Sequence, residues 1–96
     1  MSPKNKIKLN LLRRKLDILD YQLLKTIKKR SEIIKKVLSL KSYKNEIVDK
    51  KRIISVLKKI RKESLKRNID PKITQRIWKN MIWSYIDFEK RNFKKK

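Results

Sequence analysis

From Lys4 to Lys41 the chain meets neither proline nor glycine. Across that run Leu9, Leu12, Leu16, Leu19 and Leu23 recur at alternating steps of three and four, and Ile33, Val37 and Leu40 continue the series. Such spacing returns to one face of an α-helix, so the run predicts a single long amphipathic helix. Leu9 to Lys41 would span about 50 Å at 1.5 Å per residue. A compact globule of this chain length has a radius of gyration of roughly 12 Å. A leucine seam on so long a rod needs cover that two short helices do not supply, and nothing in the run would kink it back on itself. A second copy of the chain supplies that cover, so a homodimer is expected.

Two shorter helices follow. The pattern stops in a polar loop around Ser42 to Glu46. Asp49 is a good N-cap for a second helix, which carries Ile53, Leu57 and Ile60 on one face and ends near Arg67 and Asn68. Asp70-Pro71 places a capping side chain directly before a proline at the first helical position. The third helix is expected to turn Ile73, Ile77, Met81, Ile82, Tyr85 and Ile86 inward, with Lys94, Lys95 and Lys96 as a frayed tail. The predicted fold is all-α, one long helix and two shorter ones, in a single domain over 1–96 with an ordered core at about 9–93. No repeat or linker divides it.

Composition narrows the chemistry. The 96 residues include no glycine, no cysteine and no histidine. That excludes glycine-rich phosphate loops, disulfides, thiol or imidazole nucleophiles and a zinc site, and neither a metal nor a cofactor is expected. The apolar runs are only a few residues long and no signal peptide is visible, so no membrane span is expected and the cytoplasm is the expected location. The formal net charge of +22 comes mostly from lysine scattered along the chain. Lys25, Lys28, Lys29, Lys35, Lys36, Lys50, Lys51, Lys58, Lys59 and Lys62 cover most solvent-facing positions, where nucleic-acid binders concentrate charge on one face. A basic helical module that binds nucleic acid is therefore the alternative from another class, and nucleic acid is not the expected partner.

The informative charges lie where solvent should not be. Extending the leucine series past Leu23 through Thr26 puts Arg30 on the apolar stripe, where an arginine requires a negative partner. Lys41 follows eleven residues later, about 1,100° around the helix and within roughly 20° of Arg30. The two backbones are about 16 Å apart, so both side chains can converge on one small anion above Val37. Lysine at a helix end also serves terminal carbonyls, and that reading of Lys41 stays open. Glu89 falls on the apolar face of the third helix. It is either a carboxyl that donates a hydrogen bond when protonated or the partner of Arg30 or Lys41 in an internal ion pair. Tyr85, one turn earlier on that face, is counted with the binding residues. Asp49 and Arg52 share one side of the second helix's first turn. Arg13 borders the seam about 25 Å from Arg30, so the two reach one ligand only if they come from different chains of an antiparallel dimer.

Leu12-Arg13-Arg14-Lys15-Leu16-Asp17-Ile18-Leu19-Asp20-Tyr21-Gln22-Leu23-Leu24 resembles the opening of the all-helical (type II) chorismate mutases, in which Leu-Arg leads to Ile/Leu-Asp and then paired leucines. Arg30 stands where that family has its second arginine, and Lys41 matches the lysine that ends its long helix. Asp49 and Arg52 match the Asp-x-x-Arg that opens its second helix. The resemblance covers about residues 9 to 93, and the combined spacing carries it rather than any single element. It implies an intertwined homodimer of three-helix subunits that rearranges chorismate to prephenate without a cofactor. By the same resemblance, Arg13 from the partner chain and Arg30 would grip the two substrate carboxylates. Lys41 would bond the ether oxygen and one carboxylate, Arg52 would lie near the ring, and Glu89 would occupy a glutamine position that also faces the ether oxygen.

Two departures qualify this expectation. Ile53 replaces the glutamate that normally binds the ring hydroxyl, which leaves Asp49 to hold that group. The related isochorismate-pyruvate lyases share the fold and do not keep that glutamate, so a lyase acting on isochorismate is the alternative on the same fold. A mutase-like scaffold without activity is a further one. Glu89 in place of glutamine is compatible with activity, since members resembling the fungal mutases carry glutamate there, and it should favour lower pH.

Overall fold

A computed structural model of the chain describes residues 1–94, and these are helical with no β-strand among them. Helix α1 runs unbroken over Pro3–Leu40, α2 over Lys50–Lys66 and α3 over Pro71–Asn92, with one 3-10 turn at Lys44–Glu46. No described helix is long and apolar enough to cross a membrane. The chain divides into two compact units, Met1–Ile33 and Ile34–Lys96.

The first unit is the N-terminal part of α1. It starts slightly before the expected Lys4 because Ser2 caps it, with Ser2 Oγ accepting from the Asn5 N–H at 3.2 Å and Pro3 filling the first helical position. No residue of α1 is buried. Leu12, Leu16, Leu19 and Leu23 are each more than half exposed, and only Leu9 of the leucine series is half-buried.

The second unit comprises the end of α1, the 3-10 turn, α2 and α3. Its best-buried apolar side chains are Ile47, which precedes α2, and Ile86 of α3. Ile53, Val56, Leu57 and Ile60 form the half-buried face of α2, which packs against α3. Polar groups join the two helices as well. Ser64 and Thr74 are buried with their hydroxyls 2.7 Å apart, and Gln75 Nε2 donates to the Leu57 carbonyl at 2.9 Å. Each satisfies a polar atom whose burial would otherwise be costly.

The turn between α2 and α3 has to be made without glycine. Asn68 takes the left-handed conformation (φ 55°), a position asparagine tolerates better than most residues. The Ile69 N–H then bonds the Ser64 carbonyl at 2.9 Å and the Asn68 N–H bonds that of Leu65 at 3.3 Å, the pairing that closes a helix C-terminus. Asp70 Oδ1 accepts from the Lys72 N–H at 2.9 Å, which caps α3 as its sequence requires. In the last turns of α2, Arg67 and Lys66 flank Glu63. The hydrogen bond from Arg67 chiefly, then the Lys66 charge, holds the Glu63 carboxyl below its ordinary value. Its contribution is therefore present above the usual glutamate range and fades as pH falls through the lowered value.

One face is rotated from the expected register. Ile73 and Ile77, expected inward, are 56% and 51% exposed. The face of α3 turned inward instead passes through Thr74, Trp78, Met81, Ile82, Tyr85, Ile86 and Glu89. Periodicity counted Ile73 and Ile77 as core because they are apolar. The Ser64–Thr74 contact draws in the neighbouring residue, about 100° away on the helix. The expected frayed tail falls at Lys94, exposed and non-helical, and at Lys95 and Lys96, which lie outside the described residues.

Candidate active site

Lys41 is the first residue beyond α1, and its backbone N–H still bonds the Leu38 carbonyl at 3.1 Å. From there its side chain reaches α3, where Nζ lies 2.9 Å from Glu89 Oε1. The two side chains are only 18% and 6% exposed. Of the two sequence readings of Glu89, the internal ion pair is the one present, and its partner is Lys41. An ion pair this enclosed is costly to desolvate, and removing either member leaves the other charge uncompensated. Helix geometry explains the meeting. Glu89 lies one turn beyond Tyr85 and three residues past Ile86, on the inward face of α3, so its carboxyl has nowhere to go but among side chains of the second unit.

Between Lys41 and α2 the chain makes its 3-10 turn, which is tied at its start by the Tyr43 N–H donating to Glu46 Oε1 at 2.9 Å. Asp49 follows in extended conformation and accepts from the Arg52 N–H through Oδ1 at 3.0 Å, the cap expected of it. These elements enclose an open cleft of about 620 Å³, lined by Lys41, Glu46, Val48, Asp49, Lys50 and Lys51. Three lysines and two acidic residues thus line one depression, with Lys41 its least exposed cation.

The residues singled out from sequence fall into two groups. Lys41, Glu89 and Asp49 come together in the second unit around the cleft and its flanking ion pair. Tyr85 is half-buried and Arg52 exposed in that unit, and neither lines the cleft. Ile53, the departure at the ring-hydroxyl position, is half-buried on α2. Arg13 and Arg30 belong to the first unit, Arg13 exposed and Arg30 half-buried. No group of three or more acidic side chains among the described residues could hold a metal ion.

Lys50 and Lys51 have the sequence signature of solvated lysines, yet both line the cleft. The available signal was their place in the first turn of a helix that has no acidic residue there, where cations oppose the helix dipole. Glu46 and Val48 were also missed, because a loop's side chains have no periodicity to reveal where they point.

The sequence profile of the family described as chorismate mutase type II matches residues 12–90. Neither the curated proteins nor the solved structures give a match to the chain. The matched stretch begins beside Arg13 and takes in Lys41, the cleft and Glu89.

Proposed function

The chain belongs to the chorismate mutase type II family, and from that premise we propose that it rearranges chorismate to prephenate as a homodimer. The observation that carries the reading is the largely buried Lys41, held by Glu89 at 2.9 Å beside an open cleft. A cation so placed is available to an anion that displaces solvent from the cleft. The rearrangement is intramolecular: one C–O bond breaks and one C–C bond forms within the substrate, with no nucleophile. It requires a compact conformer held in place, and donors aimed at the ether oxygen as that oxygen gains negative charge. A chain without histidine or cysteine loses nothing for this chemistry.

In the proposed roles, Lys41 donates to the ether oxygen and one carboxylate, Arg30 and the partner chain's Arg13 bind the carboxylates, and Arg52 approaches the ring. Tyr85 binds the substrate from α3 together with Glu89, and Asp49 takes the ring hydroxyl in the absence of a carboxylate at Ile53. Support for the second chain comes from the exposed seam of Leu12, Leu16, Leu19 and Leu23. Burying one leucine contributes roughly 1.5–3 kcal/mol, so seams from two copies can offset an association cost of about 4–15 kcal/mol.

The direct test follows ultraviolet loss of chorismate and identifies the product. Prephenate is expected, and unchanged chorismate would remove the assignment. Ile53 favours one second reading, an isochorismate-pyruvate lyase, which the same assay with isochorismate separates by release of pyruvate.

Glu89 carries its own prediction. It stands at the family's glutamine position, and Glu89→Gln places there an amide able to donate to the ether oxygen. Glu89→Gln should keep or raise turnover, whereas Glu89→Ala should lose about 10²–10³-fold. Wild-type-like turnover in Glu89→Ala would leave Glu89 only as the residue that holds Lys41.

A further inference from the structure

Resting on the proposed reaction, we infer that Lys50 and Lys51 form a cationic mouth on the substrate cleft that captures the dianion and delivers it towards Lys41. The family motif uses Asp49 and Arg52 and assigns nothing to the two residues between them. Here both line the cleft that holds Lys41 and Asp49. The two carboxylates of that cleft are each engaged by backbone, Glu46 by the Tyr43 N–H and Asp49 by the Arg52 N–H. Lys41 is engaged by Glu89. Lys50 and Lys51, by contrast, are exposed and take part in none of the ion pairs among the described residues. They are therefore the cations of the cleft without an ion-pair partner, open to an incoming anion. They do not serve their own helix, because its first turn disfavours cations and contains no acidic residue to balance them. Two exposed cations at the rim of a cleft raise capture of a dianion, an effect that fades as salt screens it.

This assigns substrate capture to two particular lysines out of a chain of net charge +22. The experiment compares charge removal inside and outside the cleft in the full chain. Lys50→Gln/Lys51→Gln is set against Lys58→Gln/Lys59→Gln, which removes equal charge from α2 at positions that do not line the cleft. Steady-state kinetics on chorismate are measured across a range of ionic strength. At low salt the cleft pair should lose about tenfold in kcat/KM, carried by KM, with the gap closing as salt rises. Lys58→Gln/Lys59→Gln should stay within about twofold of wild type, and Lys50→Arg/Lys51→Arg should restore capture. Equal losses from both Gln pairs, no loss from the cleft pair, or a loss confined to kcat overturns the assignment. A wild-type protein inert towards both chorismate and isochorismate overturns instead the reading on which it rests.

Discussion

Lys41→Ala should abolish measurable turnover of chorismate, a loss of about 10²–10³-fold or more. The size follows from where charge develops. As the C–O bond breaks, the ether oxygen becomes the most negative point of the substrate, and in the proposed site Lys41 is the permanent cation facing it. Removing one donor to a developing charge in an enclosed site typically raises the barrier by about 3 kcal/mol. The same substitution strands the carboxylate of Glu89, whose side chain is 6% exposed, and a buried charge left without its partner costs stability. Lys41→Ala combined with Glu89→Gln separates the two effects, because the neutral amide needs no cation beside it. If the lysine is the essential donor, the double variant regains the thermal stability of wild type and remains inactive. Recovery of turnover in the double variant would show that Lys41 only neutralised Glu89.

How far the sequence could be read depended on which force positioned each residue. Helix ends were legible because caps are local: Asp49 bonds the Arg52 N–H, Asp70 that of Lys72, and Pro71 follows directly. The placement of Glu89 was legible too, since helical periodicity put it on an apolar face and it is buried there. Periodicity failed where a polar contact outweighed apolar character, as at Ser64 and Thr74, which pull their face inward at the expense of Ile73 and Ile77. It failed again for Lys50 and Lys51. An exposed lysine that lines a cleft and one that merely faces solvent have the same sequence signature, and only the path of the Ser42 to Val48 segment distinguishes them. The leucine seam predicts a second chain from sequence, and within the single chain Leu12, Leu16, Leu19 and Leu23 are exposed.

Two inactive variants should restore activity when mixed. Arg13→Ala removes the arginine assigned to the partner's site, and Lys41→Ala removes the donor assigned to a subunit's own site. Losing one member of an enclosed hydrogen-bonded charge pair costs roughly 2–5 kcal/mol, so either homodimer should lose most of its activity. A mixed dimer of the two behaves differently. The site with the intact Lys41 receives Arg13 from the other chain and is complete, whereas the second site lacks both residues. With random exchange, half of the dimers are mixed and each has one complete site, so roughly a quarter of wild-type activity should return. The chains are unfolded together and refolded, so that exchange between subunits of the proposed dimer does not limit the result. In a site built within one chain, each substitution inactivates the chain that carries it, and mixing restores nothing. Complementation would therefore require one chain to complete the other's site. If activity in the mixture stays at the level of the separate variants, Arg13 does not act across the dimer, and the proposed site must bind both carboxylates from within one subunit.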